Sequence, residues 1–285
     1  MSNFLSSSSI AAHAPAAANV AIEVVEQTGS TNADLLARVG RMPQPSLLAA
    51  ELQTAGRGRA GRSWISASGS LAFSLAWPFR CALRDLAGMP LAVGVALAET
   101  LAANDVAVRL KWPNDLWLDD AKLGGILIET ALDRSGAQQG VPQVWAVIGV
   151  GINIAQPEEL LQQIGRPIAA LPANLAQDRS RLMGMLLDGL AVALRQFEQE
   201  GFAVFAARWN ALHAWTGQNV VILENGHVIQ EGIATGVDAQ GQLLLQGPDG
   251  VVPVLAGDVS LRRQESGNKN KENDDKGSEE HAAAG

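Results

Sequence analysis

Two short stretches of this 285-residue chain hold most of the residues that could do chemistry. The first is Gly56-Arg57-Gly58-Arg59-Ala60-Gly61-Arg62-Ser63-Trp64. By letter it satisfies Gly-x-Gly-x-x-Gly, and it nearly satisfies a P-loop with Arg62 in the lysine position. Both motifs need a helix directly after the loop, because the helix N-terminal amides hold the phosphates. Here the loop runs into residues 70–77, whose alternation reads as strand, so neither motif fits. Arg57, Arg59 and Arg62 repel one another unless an anion sits between them, and the glycines let the backbone wrap closely around it. A solvated basic loop has the same letters. In an acidic chain, beside Trp64, a nucleotide fits better: phosphates on the arginines and a purine stacked on the indole.

The second stretch runs from Lys111-Trp112-Pro113-Asn114-Asp115 to Lys122-Leu123-Gly124-Gly125. Read as two strands around a turn at Asp119 and Asp120, it returns Lys122 towards Asn114 and Asp115. Gly124 and Gly125 leave bare backbone on which a ligand can lie. An ordinary hairpin with surface lysines has the same pattern, and lysine usage weighs against it. Of 21 Lys and Arg residues, only Lys111 and Lys122 are lysines outside the C-terminal tail. A codon bias towards Arg explains the scarcity but not the two exceptions. A compact ammonium beside a reacting phosphate is one place where a guanidinium does not substitute. Lys122 therefore reads as functional, and Lys111 reads equally well as structural.

These residues need a scaffold, and the patterning supplies one. Strands are expected at residues 22–26, 47–52, 70–77, 106–112, 115–118, 124–131 and 144–154. Ser30 reads as the N-cap of a helix reaching Val39, and residues 83–103 read as a long helix interrupted by Pro90. Leu182, Met185, Leu186, Leu190, Leu194 and Phe197 form a helical core stripe, with Gly201 at its C-terminal end. From Gln218 the pattern changes to short strands, with a hairpin at Asn225–Gly226. Residues 1–20 and 264–285 lack a core-forming period and are expected to be disordered.

Composition narrows the class. Charged residues make up 18%, below the ~25% of an average chain, so Ala, Gly, Ser and Gln must cover much of the surface. A net charge of −8 argues against duplex nucleic acid as the main partner. Cys81 is the only cysteine, which rules out an internal disulfide, and it reads as packing rather than a nucleophile. His13, His213, His227 and His281 have no metal-ligand spacing, so no metal ligand is identified. The uncharged apolar stretch between Asp85 and Glu99 is too short for a bilayer, and no Lys or Arg precedes Arg38 to start a signal peptide. A soluble cytoplasmic protein without a membrane partner is expected.

Five motifs, in order, resemble the biotin–protein ligase family. They are Gly29-Ser30-Thr31-Asn32, the segment from Gln53 to Trp64, Lys111 to Asp115, Lys122-Leu-Gly-Gly-Ile126, and Gly149-Val-Gly-Ile-Asn153. The resemblance covers residues 22–262. It implies an α+β fold: a mixed sheet with helices on one face, of the class II synthetase or biotin-ligase type, plus a small SH3-like β-barrel. The catalytic domain would span residues 21–215 and the barrel 216–263.

The implied reaction has two steps. Biotin and MgATP give biotinoyl-5′-AMP and pyrophosphate, and a lysine of an apo biotin carboxyl carrier domain then displaces AMP. No covalent nucleophile is needed, because joining two anions calls chiefly for charge neutralisation and positioning. The resemblance implies biotin contacts at Ser30, Thr31, Asn32, Gln53, Gly58 and Gly124, with Arg57 and Arg59 clamping the carboxylate and phosphates. It implies ATP contacts at Arg62, Trp64 and Asn153, Lys122 beside the carboxylate and α-phosphate, and Asp115 orienting or deprotonating the acceptor lysine. Mg²⁺ would ride mostly on the phosphates. Ala60 departs from the family, whose members often carry another Arg there. About twenty residues precede the first strand, too few for the helix-turn-helix of relatives that double as repressors, so a repressor role is not expected. A monomer or homodimer is expected. The alternative is a lipoate or octanoate ligase, a family similar in fold but without the Gly-Arg loop.

Overall fold

The computed structural model describes residues 4–65, 70–133, 143–155, 161–162, 167–257 and 259–264. Its larger sheet is built from β1 (Ala21–Thr28), β2 (Ser46–Gln53), β3 (Ser70–Phe79), β4 (Arg109–Lys111), β5 (Asp115–Leu118), β6 (Ala121–Asp133) and β7 (Gln143–Asn153). The spatial order is β1-β2-β3-β7-β6-β5-β4. β1 pairs parallel with β2, and the remaining pairings are antiparallel, so the sheet is mixed.

Alternation along the central strands decides what each face does. Leu71, Phe73, Leu75, Trp77 and Phe79 of β3 join Val144, Ala146, Ile148, Val150 and Ile152 of β7 in the main core. Two helices cover that face, α3 (Met89–Ala102) and α5 (Arg179–Glu200). The side chain of Asp178 caps α5 by accepting from the Arg181 N–H, and Gly201 ends the helix with φ 70°. The long helix expected over residues 83–103 is split. A 3₁₀ turn, Leu83–Leu86, precedes a break, and Gly88 at φ 79° then starts α3 with Pro90 in its first turn. Proline lacks the N–H that a helix interior uses, so Pro90 begins this helix rather than interrupting it. By length and composition the run Leu83–Ala102 could cross a membrane, but here most of it is buried as core.

On the opposite face lies α2 (Thr31–Leu36), with the Ser30 hydroxyl accepting from the Ala33 N–H. It is shorter than expected: residues 37–41 are turns, and Gly40 adopts φ 80°. Leu35 packs there with Leu48, Ala76, Trp145 and Val147 in a second, smaller cluster.

The expected disorder of residues 1–20 does not hold for residues 4–20. They carry α1 (Ser7–Ala12), capped by Ser6, with Ile10 fully buried. The Leu5 N–H donates to Glu51 Oε1 at 2.6 Å, the Ala16 N–H donates to Asp188 Oδ1 at 2.5 Å, and Arg195 donates to the Ala16 carbonyl at 2.6 Å. A Cβ on Gly184 would lie 2.5 Å from the Ile10 carbonyl, so that glycine makes room for the arm. Tertiary contacts, rather than propensity, hold so short a helix.

After α4 (Ala173–Ala176) and α5, helix α6 (Ala203–Leu212) leads into the smaller sheet. Its strands are β8 (Asn219–Glu224), β9 (His227–Val237), β10 (Leu243–Gly247), β11 (Gly250–Val254) and β12 (Val259–Arg263), ordered β11-β10-β9-β8-β12 and antiparallel. Asn225 at φ 50° and Gly226 at φ 84° make the tight turn between β8 and β9. Val220, Ile222, Leu243 and Leu245 belong to the same continuous core as the larger sheet. The expected disordered tail falls, apart from Gln264, outside the described residues.

Candidate active site

A cavity of about 520 Å³ opens on the face of the larger sheet opposite α3 and α5. Its floor follows from the β7 sequence. Trp145, Val147, Gly149, Gly151 and Asn153 alternate onto this face, so side-chain bulk disappears towards the end of the strand. Both glycines are needed there. A Cβ on Gly149 would lie 2.5 Å from Asn32 Oδ1, and one on Gly151 would lie 2.4 Å from the Trp64 indole.

One end of the cavity is a chain of hydrogen bonds. Gln53 Oε1 accepts from the Thr31 N–H at 2.9 Å, and Thr31 Oγ1 lies 2.7 Å from Ser74 Oγ. Ser74 donates to Asn32 Oδ1 at 2.5 Å, and Asn32 Nδ2 donates to Glu129 Oε2 at 3.0 Å. Arg57 Nη2 closes the chain on the same Glu129 oxygen at 2.7 Å.

At the centre, Lys122 Nζ donates to Asp115 Oδ1 at 2.6 Å. A β-bulge makes this possible. Leu116 pairs with Gly124 but Trp117 pairs with Lys122, so Leu123 is extra and turns into the core. The bulge puts Lys122 and Gly125 on one face although they are three residues apart. A Cβ on Gly125 would meet Lys122 Nζ at 3.3 Å. Gly124, expected among the biotin contacts, is not in the cavity wall. The space beside it is filled by the Gly151 carbonyl, Ile152 and Leu116.

The Gly-Arg loop folds as a small hairpin. Arg57 bridges Ser63, the Gly58 N–H donates to the Arg62 carbonyl at 2.6 Å, and Ala60 (φ 53°) and Gly61 (φ 68°) make the turn. Arg59 donates to Asn114 Oδ1 at 3.1 Å and also to the Gly257 carbonyl, bridging towards the smaller sheet. The Arg62 Nε donates to the Arg59 carbonyl at 3.1 Å. In this arrangement Arg57 and Arg59 diverge, one to Glu129 and the other to Asn114, instead of closing together on one anion.

The far end holds Trp64, lying against Gly151, and Asn153. Asn153 Nδ2 donates to the carbonyls of Lys122 (3.3 Å) and Ala169 (3.1 Å), which leaves Oδ1 as its remaining polar atom. Val259 to Arg262 of β12 complete the wall. Lys111 sits at the cavity edge, buried, with its ammonium 4.8 Å from the Trp117 ring centre and 4.4 Å from that of Trp215.

Apart from Gly124, every candidate residue lines this one cavity, including Ser30, whose hydroxyl is engaged in capping α2. Ser74 and Glu129 belong to the site although no motif marks them. The available clue was position: Gly125, Leu127 and Glu129 alternate onto the cavity face of β6. Two other titratable groups stand apart. The Cys81 thiol is pushed up by burial, helped by Asp85 and Glu198, which fits a packing role. Burial, with Arg109 nearby, pulls His213 down to about 4. Among the described residues no group of three or more His, Cys, Asp or Glu side chains could hold a metal ion.

Comparison with known proteins gives the same architecture a lineage. The profile of the biotin/lipoate A/B protein ligase family matches residues 22–153, and that of the biotin protein ligase C-terminal domain matches residues 216–262. The bifunctional ligase/repressor BirA of Escherichia coli is 39% identical over 249 residues, covering 86% of this chain and 75% of that protein. The biotin–[acetyl-CoA-carboxylase] ligase of Mycobacterium tuberculosis is 35% identical, over 84% of this chain and 88% of its own length. Among solved structures, the Aquifex aeolicus biotin protein ligase in complex with biotin and ATP superposes with a TM-score of 0.66 at 26% identity, covering 86% of this chain and 99% of that one. The chain belongs to the biotin protein ligase family.

Proposed function

We propose that this protein is an ATP-dependent ligase that attaches biotin to a lysine of a biotin carboxyl carrier domain through biotinoyl-5′-AMP. The observation that carries this reading is the layout of the cavity. Hydrogen-bonding groups line one end and an indole the other, with the Lys122–Asp115 pair between them. A polar ring with an acyl tail fits the first end and a purine the second, so the carboxylate and the α-phosphate meet at Lys122.

In the first step a biotin carboxylate oxygen attacks the α-phosphorus and pyrophosphate leaves. Both reactants are anions, and the Lys122 ammonium offsets the charge that builds up between them. Asp115 holds that ammonium in place. In the second step the acceptor amine attacks the acyl carbon and AMP leaves, with Asp115 as the proposed partner for that amine. Trp64 stacks on adenine, and Asn153 Oδ1 accepts from the exocyclic amine. Guanine presents a carbonyl there, so GTP should not replace ATP. Mg²⁺ enters as MgATP, held by the phosphates.

We read residues 21–215 as the catalytic unit and 216–263 as the smaller module, acting together in the cytoplasm. The Mycobacterium tuberculosis relative is named for acetyl-CoA carboxylase, and a carrier domain of that kind of carboxylase is the proposed acceptor. ATP–pyrophosphate exchange tests the reading: exchange with biotin and none with lipoate is the expected result. Exchange with lipoate alone would favour an acyl ligase instead.

A further inference from the structure

We infer that Glu129 is a positioning residue for the biotin end of the cavity, acting through Asn32 and Arg57, and that Arg57 serves this carboxylate rather than the phosphates. The inference rests on the ligase reading above and adds a residue to it.

Proton counting along the hydrogen-bond chain supplies the argument. A hydroxyl has one proton to give. Ser74 gives its proton to Asn32 Oδ1, and its 2.7 Å contact with Thr31 Oγ1 then draws on the one Thr31 hydroxyl proton, which also points to Gln53 Oε1 at 3.0 Å. With its oxygen occupied, Asn32 turns Nδ2 outward, donating to Glu129 Oε2 at 3.0 Å and to the Leu127 carbonyl at 3.4 Å. Arg57 donates to the same oxygen. Glu129 Oε2 thus accepts from both sides and donates to neither. At the other end the Thr31 N–H fixes Gln53 Oε1 and leaves Gln53 Nε2 beside Gly56. The Glu129 carboxylate therefore sets the direction of the bonds from Arg57 back to Ser74, and with it how Asn32 is held beside a ligand.

The chain also joins distant parts of the fold. Asn32 is on α2, Ser74 on β3, Glu129 on β6, and Arg57 at the stem of the Gly-Arg loop. A bare carboxylate would repel the carboxylate of an acid substrate. Paired with Arg57 it is neutralised locally, and the guanidinium it holds fixes where the loop leaves the sheet.

The test compares Glu129→Gln, Arg57→Ala and the double variant in ATP–pyrophosphate exchange. Glu129→Gln keeps the shape and removes the charge. Each single change should raise KM for biotin about tenfold, in line with losing one charge-assisted hydrogen bond, while KM for ATP stays within about twofold. The double variant should be no worse than either single one, because the two residues act as a unit. Glu129→Asp, which keeps the charge, should recover part of the loss seen in Glu129→Ala. A rise in KM for ATP alone in Arg57→Ala would make Arg57 a phosphate ligand and overturn the inference. Additive losses, or an unchanged or lower KM for biotin in Glu129→Gln, would also overturn it. Absence of biotin-dependent exchange in the unmodified protein would count against the ligase reading; normal exchange with unmoved variant constants would count against Glu129 alone.

Discussion

On β7, Val144, Ala146, Ile148, Val150 and Ile152 face α3 and α5, whereas Trp145, Val147, Gly149, Gly151 and Asn153 face the other way. The first set buries aliphatic surface against two helices. The second set begins with a tryptophan under α2, thins to bare backbone at Gly149 and Gly151 under a ligand-sized cavity, and ends at Asn153. One strand therefore does two jobs through its period of two, and substitutions at adjacent positions should separate stability from catalysis.

The largest expected effect is on the helix side. Ile148→Ala removes a fully buried side chain and should destabilise the fold by about 2–5 kcal/mol. Denaturant titration measures this, and KM values of the remaining folded enzyme should stay close to normal. Comparable damage to KM would mean that the two faces are not separable. On the cavity side, Lys122→Ala should slow adenylation by about 10²–10³-fold, roughly 2.7–4 kcal/mol, with little change in the urea midpoint. Lys122→Arg should not restore the rate, since the guanidinium differs from the ammonium in shape and hydration. Full activity of that variant would remove the argument from lysine scarcity.

Trp64→Ala comes next. Stacking of a base on an aromatic ring is worth about 1–3 kcal/mol, so KM for ATP should rise by roughly that equivalent while biotin affinity without nucleotide stays close to normal. A collapse of biotin binding would assign Trp64 to the other end of the cavity. The smallest effect concerns a polar ring on the core side. His213 is buried against Trp209, with ring centres 4.7 Å apart, and protonates only near pH 4. The unfolded chain takes up that proton below about pH 6.5. This contribution to stability is therefore complete above pH 6.5 and is lost as the pH falls towards 4, by about 1.4 kcal/mol per pH unit. His213→Phe should flatten that slope in urea titrations at pH 7 and pH 5.

Much of the scaffold was legible because it obeys local rules. Alternation marked the strands, and Ser30 marked the start of α2. What escaped depends on neighbours that local patterns do not reveal. The Ser/Ala-rich α1 buries Ile10, and tethers to Glu51, Ser180, Asp188 and Arg195 help hold its arm in place. The bulge at Leu123 reverses the parity of β6, so spacing alone gave no basis for choosing Gly125 over Gly124. Glu129 acquires its place from Asn32, 97 residues away.

The reach of Arg59 to Gly257 has a thermodynamic consequence. The two sheets already share one hydrophobic core, and Trp112 donates to the Gly241 carbonyl across their junction at 3.2 Å. A division of the chain near residue 215 is thus one of topology rather than of stability, and both sheets should melt in a single transition. A nucleotide that grips the Arg59 loop stabilises the folded state of the smaller sheet along with the larger, by RT ln(1 + [L]/Kd) for the whole cooperative unit. Ligand occupancy at the cavity should therefore be readable as protection of amide hydrogens in β12.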